Sequence, residues 1–232
     1  MQIIIAIITM VVVLITLRLL FHTSVDKIKQ LSENEKLNKL TDVFPDNIEI
    51  GKKILSMLGN KTTKIEEDDK TDLCLYLVMT DKIAIANLKN KYTRIQTIAH
   101  ECIHSMQDKK NLWFHFIFSN LYLIYFAVIT LLVLLGIVQN IWLHAFLLCL
   151  FGLVYYMVRS YLETDAMVKA RYLAKAYMRT ERLIKPEEVE EIVGNYDVLN
   201  KIGVQYVNYN LIFNILVKII IFMIVAYFKI GI

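Results

Sequence analysis

One stretch decides the fold of this chain. Residues 113–158 read WFHFIFSNLYLIYFAVITLLVLLGIVQNIWLHAFLLCLFGLVYYMV, and these 46 residues include no Asp, Glu, Lys or Arg. A helix needs about 20 apolar residues to cross the hydrocarbon core of a bilayer, so the stretch is long enough for two crossings and a tight turn. We expect spans at Leu112–Val138 and Ile141–Val158, with the turn at Gly136–Asn140, where a glycine and polar residues interrupt the apolar run.

The composition of the whole chain agrees with a membrane protein. Of its 232 residues, 56% are hydrophobic, 21% are charged and only two are proline. This balance excludes a disordered chain, a disulfide-rich secreted miniprotein and an ordinary soluble domain. The net charge of +4 gives no reason to expect a nucleic-acid partner.

Two further apolar segments complete the predicted set of spans. Ile3–Leu20 has no basic segment before it and no small-residue cleavage site after it, which favours an uncleaved anchor. Tyr209–Phe228 is the fourth predicted span. The expected organisation is an anchor at 1–20, a soluble part at 21–112, a transmembrane hairpin at 113–158, a soluble helical part at 159–208 and a C-terminal transmembrane helix at 209–232.

The charges indicate how the chain lies in the bilayer. All 22 acidic and 23 of the 26 basic residues lie in 21–112 and 159–210. Four spans put these two segments on one side of the membrane and both termini on the other. Because Lys and Arg favour the cytoplasmic side, we expect a multi-pass protein of the cell membrane with cytoplasmic soluble parts and extracytoplasmic termini.

The soluble segments predict helices around a small β-hairpin or sheet. Helices are expected at 24–42, at Asp46–Leu58 with Gly59 as its cap, at Tyr92–Asp108, at Arg159–Arg179 as a continuation of the third span, and at Pro186–Val193. Strands are expected at Leu73–Met79 and Ile83–Asn87, after an acidic loop at Glu66–Asp72. The second strand is a candidate to receive an extended substrate as an added strand. The expected fold is therefore mainly α, with about four transmembrane helices and a cytoplasmic α+β portion.

One short pattern carries chemistry, His100-Glu101-Cys102-Ile103-His104. On a helix the two histidines lie one turn apart on the same face and can offer two imidazole nitrogens to one zinc ion. Zinc lowers the pKa of a water that it binds to about 7, so that a neighbouring carboxylate such as Glu101 can act as the general base. This combination is typical of peptide-bond hydrolysis.

A catalytic zinc site needs a third protein ligand, and Glu163 is the best candidate. His104 precedes the apolar hairpin by about 12 Å of helix and Glu163 follows it by about 7.5 Å, so both return to similar heights on one side of the membrane. Asp108 and Asp197 are weaker candidates for the third ligand. Asp165, two residues beyond Glu163, faces elsewhere on the helix and is a candidate either to support a ligand from behind or to pair with a nearby basic residue.

The residues around this pattern resemble a known family. Thr97-Ile-Ala-His-Glu-Cys-Ile-His-Ser-Met-Gln107, with Glu163-Thr-Asp165-Ala166 after a membrane hairpin, is similar to the YugP-type predicted neutral zinc metallopeptidases. The resemblance implies a membrane-bound, zincin-like peptidase with zinc held by His100, His104 and Glu163 and with Glu101 catalytic. Ile103 stands where the family usually has glycine, and Met167 stands where it usually has serine.

We therefore expect a membrane-embedded zinc endopeptidase that acts on membrane or juxtamembrane proteins or peptides at the cytoplasmic surface. Tyr161, Arg171 and Tyr172 are candidates to stabilise the oxyanion, with no ground for choosing among them. A non-catalytic zinc-binding scaffold is the main alternative. An intramembrane protease is disfavoured by the charges that flank the His-Glu pattern. A channel or transporter rests only on a polar stripe in the fourth span, formed by Asn210, Asn214 and Lys218.

Overall fold

The structure is a computed structural model that describes residues 1–21, 25–68, 73–86, 88 and 91–230. The chain divides into two compact units. One unit, here called the apolar unit, comprises Met1–Thr23, Trp113–Tyr161 and Gln205–Ile232. The other, here called the polar unit, comprises Ser24–Leu112 and Leu162–Val204.

The secondary structure is mostly helical. The helices are α1 Gln2–Phe21, α2 Val25–Ser32, α3 Glu35–Thr41, α4 Asn47–Met57, α5 Arg94–Met106, α6 Lys109–Leu134, α7 Ile141–Glu181 and α8 Pro186–Ile230. The strands are β1 Lys64–Glu67, β2 Leu75–Leu77 and β3 Lys82–Ile85.

Four of these helices, α1, α6, α7 and α8, are long and apolar enough to cross a membrane. This confirms the predicted number of apolar spans. The turn between α6 and α7 also lies where the sequence predicts it, and Gly136 adopts a φ of +76° there. That left-handed conformation strains any residue with a Cβ atom, which explains why a glycine ends α6.

The apolar unit packs its helices around one hydrophobic core. Its largest fully buried side chains include Leu148 of α7 and Phe222 of α8. A Cβ atom at Gly152 would lie 2.5 Å from Ile215 Cγ2. The backbone of α7 therefore approaches α8 too closely for any residue other than glycine to fit at position 152. The lack of a side chain at Gly152 therefore sets the spacing of these two helices.

The polar stripe of α8 lies within the apolar unit. The Lys218 ammonium is 3.4 Å from the carbonyl oxygen of Asn214 and 5.4 Å from the centre of the Tyr122 ring of α6. The three segments of the apolar unit contain no acidic residue. Lys218 therefore contacts its own unit through an aromatic ring and a carbonyl group and not through a carboxylate.

The two longest helices differ in how well the sequence predicts them. Helix α7 continues through Arg159–Arg179 to Glu181, as predicted. Helix α8 starts at Pro186 as predicted, but its predicted end at Val193 is wrong because the helix continues to Ile230. Val193 is buried, as are its neighbours Ile192 and Tyr196, and this packing holds the helix together through Gly194.

The N-terminal part of the polar unit also departs from prediction. The single helix expected over 24–42 is wrong, because α2 ends at Ser32 and α3 begins at Glu35. Asn34 causes the break, since its side chain accepts a hydrogen bond from the Leu37 backbone N–H at 3.2 Å and caps α3. Asp46 caps α4 in the same way, with an oxygen 2.8 Å from the Glu49 nitrogen.

Gly59 ends α4 as predicted. Its φ is +70°, and the N–H of Asn60 donates to the Leu55 carbonyl at 2.9 Å. This is the hydrogen-bond pattern of a Schellman cap, which places its left-handed residue just after the helix. The helix therefore stops where only glycine adopts the required backbone conformation without strain.

Among the described residues the sheet has three strands, one more than predicted, in the order β1-β3-β2. Strand β1 occupies part of the predicted acidic loop Glu66–Asp72, of which 69–72 lie outside the described residues. Ile65 anchors this strand, pairing with Ile83 and packing on Gly51 of α4.

Strand β3 forms the middle of the sheet, parallel to β1 and antiparallel to β2. The expectation that 83–87 receives an added strand is therefore wrong for its described part, because both edges of β3 are already paired. The last residue of that expected strand, Asn87, lies outside the described residues. Within the part of the chain that the structure describes, strand β2 pairs with another strand along one of its two edges only.

Buried Arg94 fixes the start of α5, the helix that carries the His100–His104 pattern. Its guanidinium donates to the carbonyl oxygens of Pro45 at 2.7 Å, Thr41 at 2.8 Å and Phe44 at 2.9 Å. These carbonyl groups belong to the last residue of α3 and to the turn between α3 and α4. Since a buried guanidinium must find acceptors, this turn and α5 are held in one arrangement.

Helix α8 packs against α5 through aromatic and amide groups. The rings of Tyr92 and Tyr196 stack with centres 5.8 Å apart, and the Tyr196 hydroxyl donates to the Tyr92 carbonyl at 2.7 Å. Gln96 donates to the Asn200 side chain, which donates in turn to the Met167 carbonyl of α7 at 3.0 Å. These contacts join α5, α7 and α8 within the polar unit.

Candidate metal centre

Helix α5 places the two histidines of the pattern side by side. His100 and His104 are one turn apart, with ring centres 4.6 Å apart and Nε2 atoms 3.0 Å apart. The side chains are 16% and 8% exposed, so both rings are largely shielded from solvent. The helical spacing of four residues produces this alignment, as the sequence predicts.

Helix α7 brings Glu163 to the same point. One carboxylate oxygen is 3.4 Å from His100 Nε2 and the other is 3.6 Å from His104 Nε2. Ala166 and Ala170, on the same face of α7, are fully buried. Their small side chains permit the close helix approach that the carboxylate needs. Among the described residues, His100, His104 and Glu163 are the group whose side chains could hold a metal ion.

The spacing of these atoms fits a tetrahedral metal. Nitrogen and oxygen ligands about 2.0–2.1 Å from a four-coordinate ion lie roughly 3.4 Å from one another. The three observed separations between His100, His104 and Glu163 are 3.0, 3.4 and 3.6 Å. Three protein ligands also leave a fourth position, as in catalytic sites.

A glutamine lies behind His104. Gln107 Oε1 is 2.8 Å from His104 Nδ1, on the side of the ring away from Glu163. Gln107 Nε2 donates to the Leu162 carbonyl at 2.8 Å and to an Asp165 oxygen at 3.0 Å. The sequence-predicted support residue Asp165 is thus joined to His104 through Gln107.

Asp165 is held as a carboxylate. Its other oxygen is 2.6 Å from the Lys169 ammonium. Burial opposes ionisation, but the hydrogen bonds from Lys169 and Gln107 outweigh it and lower the pKa of Asp165. The negative charge is therefore present at neutral pH, where it can accept from the amide of Gln107.

Glu101 is buried and points towards the sheet. Its side chain accepts a hydrogen bond from the backbone N–H of Tyr76 in β2 at 2.7 Å. The carboxylate of the predicted catalytic residue is thus held by the edge strand of the sheet. The sequence predicts the strand that contains Tyr76 but does not indicate that this strand donates to Glu101, because Tyr76 precedes Glu101 by 25 positions.

A polar cluster holds β2 in place. The Tyr76 hydroxyl donates to Asp81 at 2.8 Å, and the Lys109 ammonium lies 2.6 Å from that hydroxyl and 3.0 Å from Asp81. Thr62 and Thr63 donate to Asp81 as well, at 3.0 and 2.9 Å. Burial opposes ionisation of Asp81, yet hydrogen bonds from Lys109, Tyr76 and the threonines lower its pKa to about 2.

The two cysteines near the site are neutral thiols. Burial raises the pKa of Cys74 to about 11; a hydrogen bond from the Ala86 N–H lowers this pKa by less than burial raises it, and the Glu101 carboxylate adds a smaller increase. Burial also raises the pKa of Cys102 well above its usual range. Neither side chain is suited to serve as a thiolate ligand or nucleophile at neutral pH.

The remaining predicted candidates have other partners. Asp108 accepts from the Lys110 backbone N–H at 2.9 Å, and Asp197 pairs with Arg171. Arg171 also lies over the ring of Tyr172, 4.2 Å from its centre. Tyr172 is 58% exposed, and Tyr161, which belongs to the apolar unit, is 61% exposed.

Comparisons of the chain with protein-family models, with curated proteins and with solved structures found no match. A functional assignment therefore depends on the chemistry of the residues in this site.

Proposed function

We propose that this protein is a membrane-embedded, zincin-like zinc metallopeptidase, an endopeptidase of the kind that the YugP-type resemblance implies. The observation that supports this most directly is the convergence of His100 and His104 of α5 with Glu163 of α7. Two imidazoles and one carboxylate are a ligand set of known catalytic zinc sites. Glu101 follows His100 directly, as the hydrolytic pattern requires.

In this proposal His100, His104 and Glu163 hold the zinc ion. When bound, zinc supplies Lewis acidity, which makes water a stronger acid and polarises a carbonyl oxygen. Glu101 accepts the proton of the attacking water and later passes it to the leaving amine of the cleaved peptide. The hydrogen bond from Tyr76 holds one oxygen of Glu101 in a fixed orientation while the proton is transferred.

The proposed location is the cytoplasmic surface of the cell membrane, where a bilayer surrounds α1, α6 and the apolar parts of α7 and α8. Glu163 follows the third apolar span on one uninterrupted helix. Membrane proteins and juxtamembrane peptides are the proposed substrates, because their chains run close to such a site.

Metal analysis of purified protein in detergent tests this proposal. Wild type and Glu101→Gln should each contain close to one zinc ion per chain, whereas Glu163→Ala should bind zinc about 100-fold more weakly or worse. Glu181→Ala is the matched control, since Glu181 lies on the same helix and pairs with Lys53 at 3.5 Å. Only Glu101→Gln should lose hydrolysis of an unfolded test protein while keeping its metal.

Near-stoichiometric zinc in both His100→Ala and Glu163→Ala would refute the metal site. Full hydrolysis by Glu101→Gln would refute the catalytic role of Glu101. A non-catalytic zinc-binding scaffold is the second candidate, since a hydrogen bond from Tyr76 suits a structural carboxylate as well. The scaffold hypothesis predicts that Glu101→Gln leaves the cellular function unchanged.

A further inference from the structure

We infer that Gln107 is a positioning residue that fixes His104 in the tautomer with hydrogen on Nδ1 and joins this ligand to the helix that carries Glu163. The inference rests on the proposed metal site. It concerns a residue that neither holds the metal nor transfers a proton. Three hydrogen bonds of one side chain, to His104, Leu162 and Asp165, carry it.

The first step is the orientation of the Gln107 amide. One end of this amide faces two groups, the Leu162 carbonyl at 2.8 Å and Asp165 at 3.0 Å. A backbone carbonyl oxygen can only accept hydrogen bonds, so the end of the amide that faces Leu162 must be the NH₂ group, whose second hydrogen is directed to Asp165. The amide oxygen is therefore the end that faces His104.

The second step is the tautomer of His104. An amide oxygen only accepts, so the Nδ1 atom 2.8 Å away must carry the hydrogen. In a neutral imidazole the other nitrogen then has a lone pair. That nitrogen, Nε2, faces Glu163 and His100, where a metal ligand is needed. A histidine with hydrogen on Nε2 could not bind the metal through that atom.

The third step is the connection between the two helices. Gln107 follows directly after α5, and the carbonyl that it binds belongs to Leu162, one residue before Glu163. The same amide thus contacts a ligand of α5 and the backbone beside the ligand of α7. Outer groups that orient metal-bound histidines typically contribute 10–100-fold to metal affinity.

The experiment compares two glutamines of similar setting. Gln107→Met keeps the length of the side chain and removes all three hydrogen bonds. Gln96→Met is the matched control, because Gln96 also lies on the α5 segment and donates to another helix, through Asn200, without contacting a metal ligand. Zinc affinity is measured by competition with a chelator, and the histidine tautomers are measured by ¹⁵N NMR on metal-free protein. His104→Ala identifies the signal of His104.

The inference predicts one tautomer, with hydrogen on Nδ1, for His104 in metal-free wild type and in Gln96→Met. In Gln107→Met, His104 should show a mixture of tautomers, and zinc affinity should fall by roughly 10–100-fold. Hydrogen on Nε2 in the wild type, or an unchanged tautomer and affinity in Gln107→Met, would overturn the inference. Gln107→Leu removes the same hydrogen bonds and provides the measurement if the methionine variant does not fold.

The tautomer readout separates this inference from the proposed function. A wild type that fixes the tautomer but hydrolyses no peptide would support the role of Gln107 and argue against the peptidase. If wild type binds zinc and cleaves peptides, and Gln107→Met does both equally well, the result would support the peptidase and argue against the role of Gln107.

Discussion

At the scale of single residues, the polar unit depends on a few side chains that satisfy several partners each. Gln107 contacts a histidine, a carbonyl group and a carboxylate, and Arg94 donates to three backbone carbonyl groups at the end of α3 and in the turn that follows it. Asp81 accepts hydrogen bonds from four side chains. Each such residue replaces water for several polar groups at once, so removing it leaves several of them unsatisfied.

The pKa of Asp81 leads to a prediction about acid stability. The folded value of about 2 is below the usual carboxyl value of 3.8, so folding favours the ionised form. The stabilisation is complete above about pH 4 and is lost as the pH falls towards 2. Asp81→Asn should therefore be less stable than wild type at neutral pH, by about 1–3 kcal/mol, and should lose less stability on acidification.

Thermal unfolding of metal-free protein between pH 6 and pH 2.5 measures this difference. Removing the metal matters, because the ligands themselves bind protons in acid. Equal loss of stability in wild type and Asp81→Asn over this range would contradict the assignment of the low pKa to Asp81.

Which residues meet at the site is only partly visible in the sequence. The spacing of His100 and His104 is a local property of a helix, and the hairpin length places Glu163 near them, so these residues could be predicted. Gln107 has an ordinary position in a polar sequence, and its partner Asp165 is 58 positions away. The donor to Glu101 is a backbone group, which the sequence does not distinguish from any other.

At the scale of elements, periodicity predicts where helices exist better than where they end. The 3.6-residue pattern and the apolar runs locate α4, α5, α6 and α7 within a few residues. Asn34 breaks a polar helix because its side chain competes for a backbone N–H, whereas Gly194 fails to end α8 because neighbouring residues are buried. Strand β1 contributes a single apolar side chain, Ile65, which is too little for an alternating pattern.

Two glycines of the polar unit, one that ends a helix and one inside a helix, should change the stability of the protein in opposite directions when each is replaced by alanine. A Cβ atom at Gly59 or at Gly194 would meet no atom within 4 Å, so only the backbone conformation differs. Gly59→Ala should destabilise the protein by about 1–2 kcal/mol, because its φ of +70° is strained for alanine. Gly194→Ala should stabilise it by about 0.5–1 kcal/mol, since alanine loses less entropy in a helix.

Thermal unfolding of the two alanine variants beside wild type is sufficient for the measurement. Changes of the same sign would show that α8 is interrupted near Gly194, as periodicity alone suggests.

At the scale of the whole molecule, each compact unit is built from segments that are far apart in the chain. The polar unit is interrupted between Leu112 and Leu162, and the inserted residues belong to the apolar unit. The interruption itself is visible in the sequence as the uncharged stretch 113–158. The packing within each unit is not visible in the sequence, because it depends on which helix faces contact one another.

The proposed cytoplasmic placement of the polar unit predicts a labelling pattern in intact cells. Lys61→Cys lies in the polar unit and Gln139→Cys in the turn between α6 and α7, and both positions are exposed. In a chain without its native cysteines, a membrane-impermeant maleimide should label only Gln139→Cys from outside. Lys61→Cys should react after permeabilisation. Labelling of Lys61→Cys in intact cells would reverse the proposed orientation.

The interrupted construction of the polar unit has a consequence for biosynthesis. The ribosome makes His100 and His104 first, then about fifty residues of the apolar hairpin, and only then Glu163. A nascent chain therefore has two of the three candidate metal-binding residues before its apolar hairpin is complete. The three candidate ligands are all present only after both hairpin helices have been synthesised, so under the proposed function metal binding would mark a chain that has already passed that stage.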